Sequence, residues 1–171
     1  DCLDSIRDLA HEIIVVDAST DKTAEIACKY QKVKVHKSSE KGFAVQRNKG
    51  ISLASNDIIA FTDADCIVSK DWLKNLVYSM ENKGADCVGG PAFPPANSSH
   101  IGLCISCLGY PAGGALGLSA NDPISTCNAA FTKKCLNDVK GFDLKLKYGG
   151  EDTDLSRRLK EKGYKIIIET D

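Results

Sequence analysis

The chain has 171 residues, of which 43% are hydrophobic and 26% are charged, with a formal net charge of −1 at pH 7. These proportions are close to globular averages and exclude a wholly disordered or fibrous protein. The length suits one α/β domain with a core of its own. Because the charge is balanced and no Lys/Arg-rich run is present, the sequence gives no electrostatic basis for binding nucleic acid.

Eight cysteines are dispersed along the chain. Cys104 and Cys107 form a CxxC, but no second CxxC and no HxxxH accompany it, so structural zinc is not expected. Other cysteines lie in apolar runs, where a free thiol behaves as a small hydrophobe. Unpatterned thiols and the lack of a signal peptide favour a cytoplasmic location.

The segment 91–121 contains no Asp, Glu, Lys or Arg. It is nearly long enough and apolar enough to span a membrane. Its five glycines between Gly102 and Gly117, together with Pro111, instead favour a loop or a short broken helix. We therefore expect an apolar, Gly-rich loop over residues 91–121. Contact between this loop and the cytoplasmic face of a membrane is left open as an alternative.

The remaining chain alternates between strand and helix patterns. Continuous β-branched runs such as 12–17 (EIIVVD) and 57–62 (DIIAFT) are typical of strands buried on both faces of a parallel sheet. The alternation predicts an α/β fold, with a Rossmann-like, open, mainly parallel sheet and flanking helices. In chain order we predict helix 1–10, strand 12–17, helix 23–30, strand 33–36, helix 42–54, strand 57–62, helix 70–82, strand 85–89, helix 152–162 and strand 165–169.

Acidic residues stand at the carboxyl ends of two predicted strands, where ligands bind in open α/β sheets. Asp17 ends one strand, and Asp63 and Asp65 end another, so the three carboxylates should lie along one rim. An Asp-X-Asp at a strand end lets both carboxylates approach one hard cation, which can also bridge phosphate oxygens. Taken alone, the pair also fits capping of the turn before Lys70.

Basic and acidic companions strengthen the metal–diphosphate interpretation. Lys41 and Arg47 lie just before and within the helix that precedes the 57–62 strand, and such groups suit phosphate or base recognition. Considered separately, each of these two side chains also fits the role of a solvated charge on the surface. Residues 149–154 (GGEDTD) run into a helix N-terminus, where one acid is explained by capping and three are less easily explained.

Five segments, in the family's order, resemble family 2 glycosyltransferases of the GT-A fold: VVDASTDKT, GFAVQRNKGI, FTDADCIV, STCNAAFTKKCLNDVKGFD and GGEDTDLSRRL. The resemblance covers the chain from about Asp1 to its end and implies a single catalytic domain over residues 1–171. It implies inverting transfer of a sugar from a nucleotide-diphosphate donor to an acceptor hydroxyl, assisted by Mg²⁺ or Mn²⁺. A UDP-sugar is the default donor, and the acceptor is a sugar or a lipid-linked sugar.

The same resemblance implies a donor role for five residues. Asp17 would contact the nucleotide base. Arg47 and Lys41 would contact the donor. Asp63 and Asp65 would hold the diphosphate and its metal ion.

On the acceptor side, Asp152 would be the catalytic base, and Glu151 would orient Asp152 or the acceptor. Asn128 and Phe131 lie where the family approaches the donor sugar, although packing explains them equally well. Ala18 departs from the family, which commonly has a second acid there.

Family members usually open with an apolar strand, and this sequence begins after the corresponding position. We therefore expect an N-terminally incomplete domain with an open sheet edge. Two alternatives stay open. One is a non-catalytic sugar-nucleotide-binding module or inactive paralogue. The other is a HAD-type phosphatase, which also uses a strand-end Asp-X-Asp, although Cys66 and Ile67 follow the pair here in place of Thr or Gly-Thr.

Overall fold

The computed structural model describes residues 1–109, 119 and 122–170. Every helix and strand predicted from the sequence is present, with ends that differ by a few residues. The helices are α1 (Cys2–Ile6), α2 (Thr23–Ala27), α3 (Phe43–Leu53), α4 (Trp72–Lys83), α5 (His100–Ser106), α6 (Lys133–Asp138) and α7 (Glu151–Glu161). The strands are β1 (Ile13–Asp17), β2 (Val33–Lys37), β3 (Ile58–Phe61), β4 (Cys87–Gly89), β5 (Ala129–Thr132) and β6 (Ile166–Ile168).

The strands form two sheets. β1 and β2 pair in parallel, and the second sheet has the order β3-β5-β4-β6. β4 and β6 are parallel, whereas β5 runs antiparallel to both β3 and β4. The α/β architecture is confirmed, and the prediction of a mainly parallel sheet is modified by β5, which the sequence analysis did not identify.

β5 lies at the centre of the second sheet, and its residues separate two hydrophobic cores. Successive strand side chains point to opposite faces. Ala130 packs in a cluster with Leu76 and Met80 of α4, and Phe131 packs in a cluster with Leu155 and Leu159 of α7. The helices therefore cover both faces of this sheet, as expected for an α/β layer structure.

A cavity of about 800 Å³ separates the two sheets. Residues 13–16 of β1 and 58–61 of β3 both line it. Among the described residues, β1 pairs with β2 alone and β3 pairs with β5 alone, so each has one unpaired backbone edge. We refer to this cavity as the slot between the sheets.

Glu12 precedes β1 and connects it to β2 and to the segment after α3, at one end of this slot. Its carboxylate accepts hydrogen bonds from the backbone N–H and the hydroxyl of Ser55, both at 2.6 Å, and from Asn56 at 3.1 Å. Lys34 of β2 donates to its other oxygen at 2.9 Å. These donors lower the pKa of Glu12 to about 2 from its ordinary value of 4.5, with the Ser55 hydrogen bonds as the main cause.

We expect Glu12→Gln to lower the free energy of unfolding by about 1–3 kcal/mol at pH 7, because glutamine has no charge and only one accepting oxygen for these donors. A depressed carboxyl pKa stabilises the fold above pH 4.5, and this contribution is lost as pH falls through about 2. Chemical denaturation at several pH values should therefore show a difference that shrinks below pH 4.5. Glu25→Gln, at an exposed position of α2, is the matched control.

The uncharged segment contains a helix where a loop was preferred. Ser99 begins α5 by accepting a hydrogen bond from the N–H of Gly102. Ile101, Leu103 and Ile105 are 73%, 46% and 48% exposed, so this helix presents apolar side chains to solvent. Residues 110–118 and 120–121 lie outside the described residues. Within the described part of the chain, every helix is too short or too polar to cross a membrane.

Candidate active site

The acids predicted at the sheet rim differ in their environments. Asp17, at the end of β1, is 7% exposed and accepts a hydrogen bond from the N–H of Ser19 at 2.9 Å through Oδ1. Its Oδ2 is buried and has no hydrogen-bond partner in the described structure. Asp63 is half-buried beside the slot between the sheets, and Asp65 is exposed two residues further on.

Arg47 of α3 brings three carboxylates together. Its Nη1 donates to Oε1 of Glu151 at 2.5 Å and lies 3.6 Å from Oδ1 of Asp152. Its Nη2 lies 3.5 Å from Oδ1 of Asp63. The sequence pattern gave no indication that a single guanidinium, about 100 residues from Glu151 in sequence, would join these acids.

Two aromatic rings hold the Arg47 guanidinium in place. It lies 5.4 Å from the centre of the Phe43 ring and 5.6 Å from that of Phe142. Cation–π contacts and the ion pair with the buried Glu151 together restrict a side chain that would otherwise be flexible. Glu151 is 4% exposed, and its second oxygen, Oε2, is buried without a hydrogen-bond partner in the described residues.

Two glycines orient the start of α7. Gly149 has φ 145° and Gly150 has φ 79°, values that L side chains rarely adopt. The chain can therefore turn sharply so that Glu151 and Asp152 occupy the first helical turn, where the helix dipole favours negative charge. Asp154, the third acid, pairs with Arg157 and Arg158 on its own helix.

In the described structure, Asp152 accepts hydrogen bonds from Thr126. Thr126 donates its backbone N–H to Oδ2 at 3.1 Å, and its hydroxyl lies 3.2 Å from both carboxylate oxygens. Burial raises the pKa of Asp152, while Arg47 and Thr126 oppose the increase. Thr126 could not be identified from the sequence, because a threonine before a short strand carries no pattern that connects it to a distant acid.

The acid cluster carries more negative charge than Arg47 can neutralise. Burial raises the pKa of Asp63, Arg47 lowers it, and Asp65 and Glu151 add repulsion that raises it again. A divalent cation would relieve this repulsion. No three acidic, histidine or cysteine side chains in the described part of the chain form a metal cage. Two carboxylates and the phosphate oxygens of a ligand are a usual set for Mg²⁺, and Asp63 and Asp65 fit this arrangement.

Three predicted residues lie apart from the acid cluster. Lys41 is exposed before α3, and no ion pair joins it to the cluster in the described structure. Asn128 accepts from Trp72 and donates to the carbonyl of Pro91, both at 2.8 Å. Phe131 is fully buried against Phe61. Phe131 is therefore part of the core, and Asn128 is held by hydrogen bonds within the fold.

Solved glycosyltransferase structures share this fold. The mannosyltransferase PcManGT from Pyrobaculum calidifontis, in complex with GDP-Man and Mn²⁺, matches with a TM-score of 0.73 and 23% identity over 99% of this chain and 50% of that chain. TarS from S. aureus, in complex with UDP, matches with a TM-score of 0.71 and 21% identity over 99% of this chain and 53% of that chain. The fold is that of the GT-A glycosyltransferases.

Sequence comparison identifies the family. Glycosyl transferase family 2 matches residues 1–99, and glycosyl transferase family group 2 matches residues 58–170. Glycosyltransferase AglE of Haloferax volcanii is 28% identical over 181 residues, which cover 94% of this chain and 55% of that protein. The putative teichuronic acid biosynthesis glycosyltransferase TuaG of Bacillus subtilis is 37% identical over 95 residues, which cover 50% of this chain and 38% of that protein.

The chain belongs to glycosyl transferase family 2. It spans about half the length of AglE and of the solved structures described above. Because the chain belongs to this family, the alternative of a HAD-type phosphatase is rejected.

Proposed function

We propose that this chain is the donor-binding catalytic domain of an inverting glycosyltransferase, which moves a sugar from a nucleotide diphosphate to an acceptor hydroxyl with Asp152 as base. The observation that carries the proposal is the cluster in which Arg47 joins Asp63 to Asp152. The carboxylate of Asp63, at a strand end, suits a cation bound to the donor diphosphate, and the carboxylate of Asp152, at a helix start, suits the acceptor hydroxyl. Such an arrangement brings the two reactants of a transfer reaction to one place.

Asp152 has the properties of a general base. Its side chain is 24% exposed, so that an acceptor hydroxyl can reach it, and burial raises its pKa. A carboxylate with a raised pKa binds a proton more strongly than a free one, which favours removal of a proton from the attacking hydroxyl. Attack by that oxygen on the anomeric carbon, from the side opposite the leaving diphosphate, inverts the configuration.

Asp63 and Asp65 would hold Mg²⁺ or Mn²⁺ against the donor diphosphate. When bound, such a cation stabilises the negative charge that develops on the leaving group. The nucleotide complexes of TarS and the GDP-Man and Mn²⁺ complex of PcManGT support this assignment by analogy of fold. Asp17, with its unpaired Oδ2, would accept an N–H from the base, and the exposed Lys41 would lie near the phosphates.

The acceptor is a sugar or a lipid-linked sugar. The exposed apolar residues of α5 favour the lipid-linked class, because apolar side chains at the surface tolerate contact with lipid. With a lipid-linked acceptor, α5 would contact the surface of a membrane from its cytoplasmic side. The cytoplasmic location itself stays a prediction.

Nucleotide release from UDP-glucose, UDP-GlcNAc and GDP-mannose tests the proposal. With Mn²⁺ present, we expect release from one donor class with water as acceptor, and faster release on adding either a free sugar or a polyprenyl-linked sugar. The acceptor that accelerates the reaction identifies its class. Hydrolysis of an aryl phosphate without any release from these donors would contradict the proposal.

A further inference from the structure

The segment before β5 lies along one face of α7. The N–H of Ile124 donates to the hydroxyl of Ser156 at 3.0 Å, and the N–H of Thr126 donates to Oδ2 of Asp152 at 3.1 Å. Asp152 and Ser156 are four residues apart and share a helix face. Four helical residues advance about 6 Å, a distance that two residues of extended chain also cover. The N–H groups of Ile124 and Thr126 thus pair with side chains on two successive turns of α7.

We propose that Thr126 is a positioning residue, which fixes the carboxylate of Asp152 in the orientation needed to accept a proton from the acceptor hydroxyl. This inference rests on the proposed function. Thr126 is 1% exposed and provides the direct hydrogen bonds to Asp152 in the described residues. Arg47, at 3.6 Å, is beyond hydrogen-bonding distance and already donates to Glu151 at 2.5 Å.

The two contacts from Thr126 restrain the carboxylate in different ways. Its backbone N–H fixes Oδ2, and its hydroxyl lies within reach of both oxygens, so rotation of the carboxylate about its own axis is opposed. With 24% of the side chain exposed, the carboxylate stays accessible while its orientation is restricted. A base held in this way loses less freedom when the acceptor binds.

Among the described residues, the charged and titratable neighbours of Asp152 include Arg47, Glu151 and Cys127. Arg47 favours the ionised form of Asp152, and Glu151 opposes it. The Thr126 hydroxyl also favours the ionised form by donating to it, so its removal should raise the pKa of Asp152 further. A role limited to packing would leave this pKa unchanged.

The test compares Thr126→Val, Thr126→Ser and Ser156→Ala. We expect Thr126→Val to lower the turnover of donor by about ten- to a hundredfold, as expected for a misoriented catalytic group, with unchanged KM for the donor. Its Asp152 pKa, followed by ¹³C NMR of the carboxyl carbon, should rise, and the acid limb of the pH–rate profile should move upward. Thr126→Ser keeps the hydroxyl and should retain most of the turnover and the parental pKa.

Ser156→Ala is the matched control, since it removes the other hydroxyl that pairs with the same segment without touching Asp152. It should lower the melting temperature and leave the turnover and the Asp152 pKa near parental values. Equal losses in Thr126→Val and Ser156→Ala would overturn the positioning role, as would parental turnover and pKa in Thr126→Val. If the valine variant does not fold, Thr126→Ala removes the same hydroxyl without adding bulk, and the same outcomes apply to it.

Asp152→Asn separates this inference from the proposed function. Parental turnover in Asp152→Asn would overturn the proposed base, and with it the reason for positioning this side chain. Loss of turnover in Asp152→Asn together with parental turnover in the valine or alanine variant would overturn the role of Thr126 alone. The NMR titration reports on the contact even without an acceptor.

Discussion

Asp63→Asn/Asp65→Asn is expected to abolish the dependence of nucleotide binding on Mn²⁺. The two carboxylates are the groups at the end of β3 that fit a cation bound to a diphosphate, and asparagine is uncharged. Loss of each carboxylate–metal contact should weaken binding on the order of tenfold, or about 1.4 kcal/mol. Calorimetric titration with UDP and GDP, with and without Mn²⁺, measures this effect.

The same substitutions should not lower the stability of the fold. Because the pKa of Asp63 is raised, the folded state binds its proton more strongly than the unfolded state does, and its ionised form is disfavoured by folding at neutral pH. Removing the charge should leave the melting temperature equal or higher, as is common at functional sites. Asp71→Asn, at an exposed position before α4, is the control for surface charge. Unchanged Mn²⁺-dependent binding in the double variant would place the metal elsewhere.

Asp152→Asn is expected to remove turnover while leaving nucleotide binding intact. General base catalysis contributes about 10²–10⁴-fold to a rate, and an asparagine cannot accept the proton. The Asn oxygen can still accept the hydrogen bond from the N–H of Thr126, so the helix start should keep its position. Steady-state nucleotide release and calorimetric titration on the same preparation measure the two properties separately.

The matched control for this variant is Asp154→Asn, on the same helical turn. Asp154 binds Arg157 and Arg158 of its own helix, so its substitution should affect stability more than turnover. Normal turnover in Asp152→Asn, or equal loss of turnover in both variants, would contradict the assignment of the base. Nucleotide binding without turnover in the parent chain would instead favour the non-catalytic binding module.

Local patterns were sufficient to predict most elements and their order. The β-branched runs at β1 and β3 and the i, i+4 pair Leu155 and Leu159 reflect burial within one element, which a sequence displays directly. β5 was missed because its sequence, AAFT, is short and begins with two alanines, which have low strand propensity. Its place between β3 and β4 depends on long-range packing of Ala130 and Phe131.

The site shows the same division between local and long-range information. The predicted end of a strand and start of a helix were sufficient to locate Asp63 and Asp152, because these positions follow from local structure. The partner of Arg47 was not predictable from spacing, since the contact with Glu151 joins residues 104 apart and depends on how α3 and α7 pack around the sheet. Thr126 was missed for the same reason, because its importance comes from a contact with α7 rather than from its own segment.

The measurement that tests the central claim most directly is calorimetric titration of this chain with UDP and with GDP, in the presence and absence of Mn²⁺. The account predicts that one nucleotide binds, that binding requires the metal, and that the nucleotide bound is the one released in the donor assay. Binding of neither nucleotide with Mn²⁺ present, or equal binding with and without the metal, would contradict it.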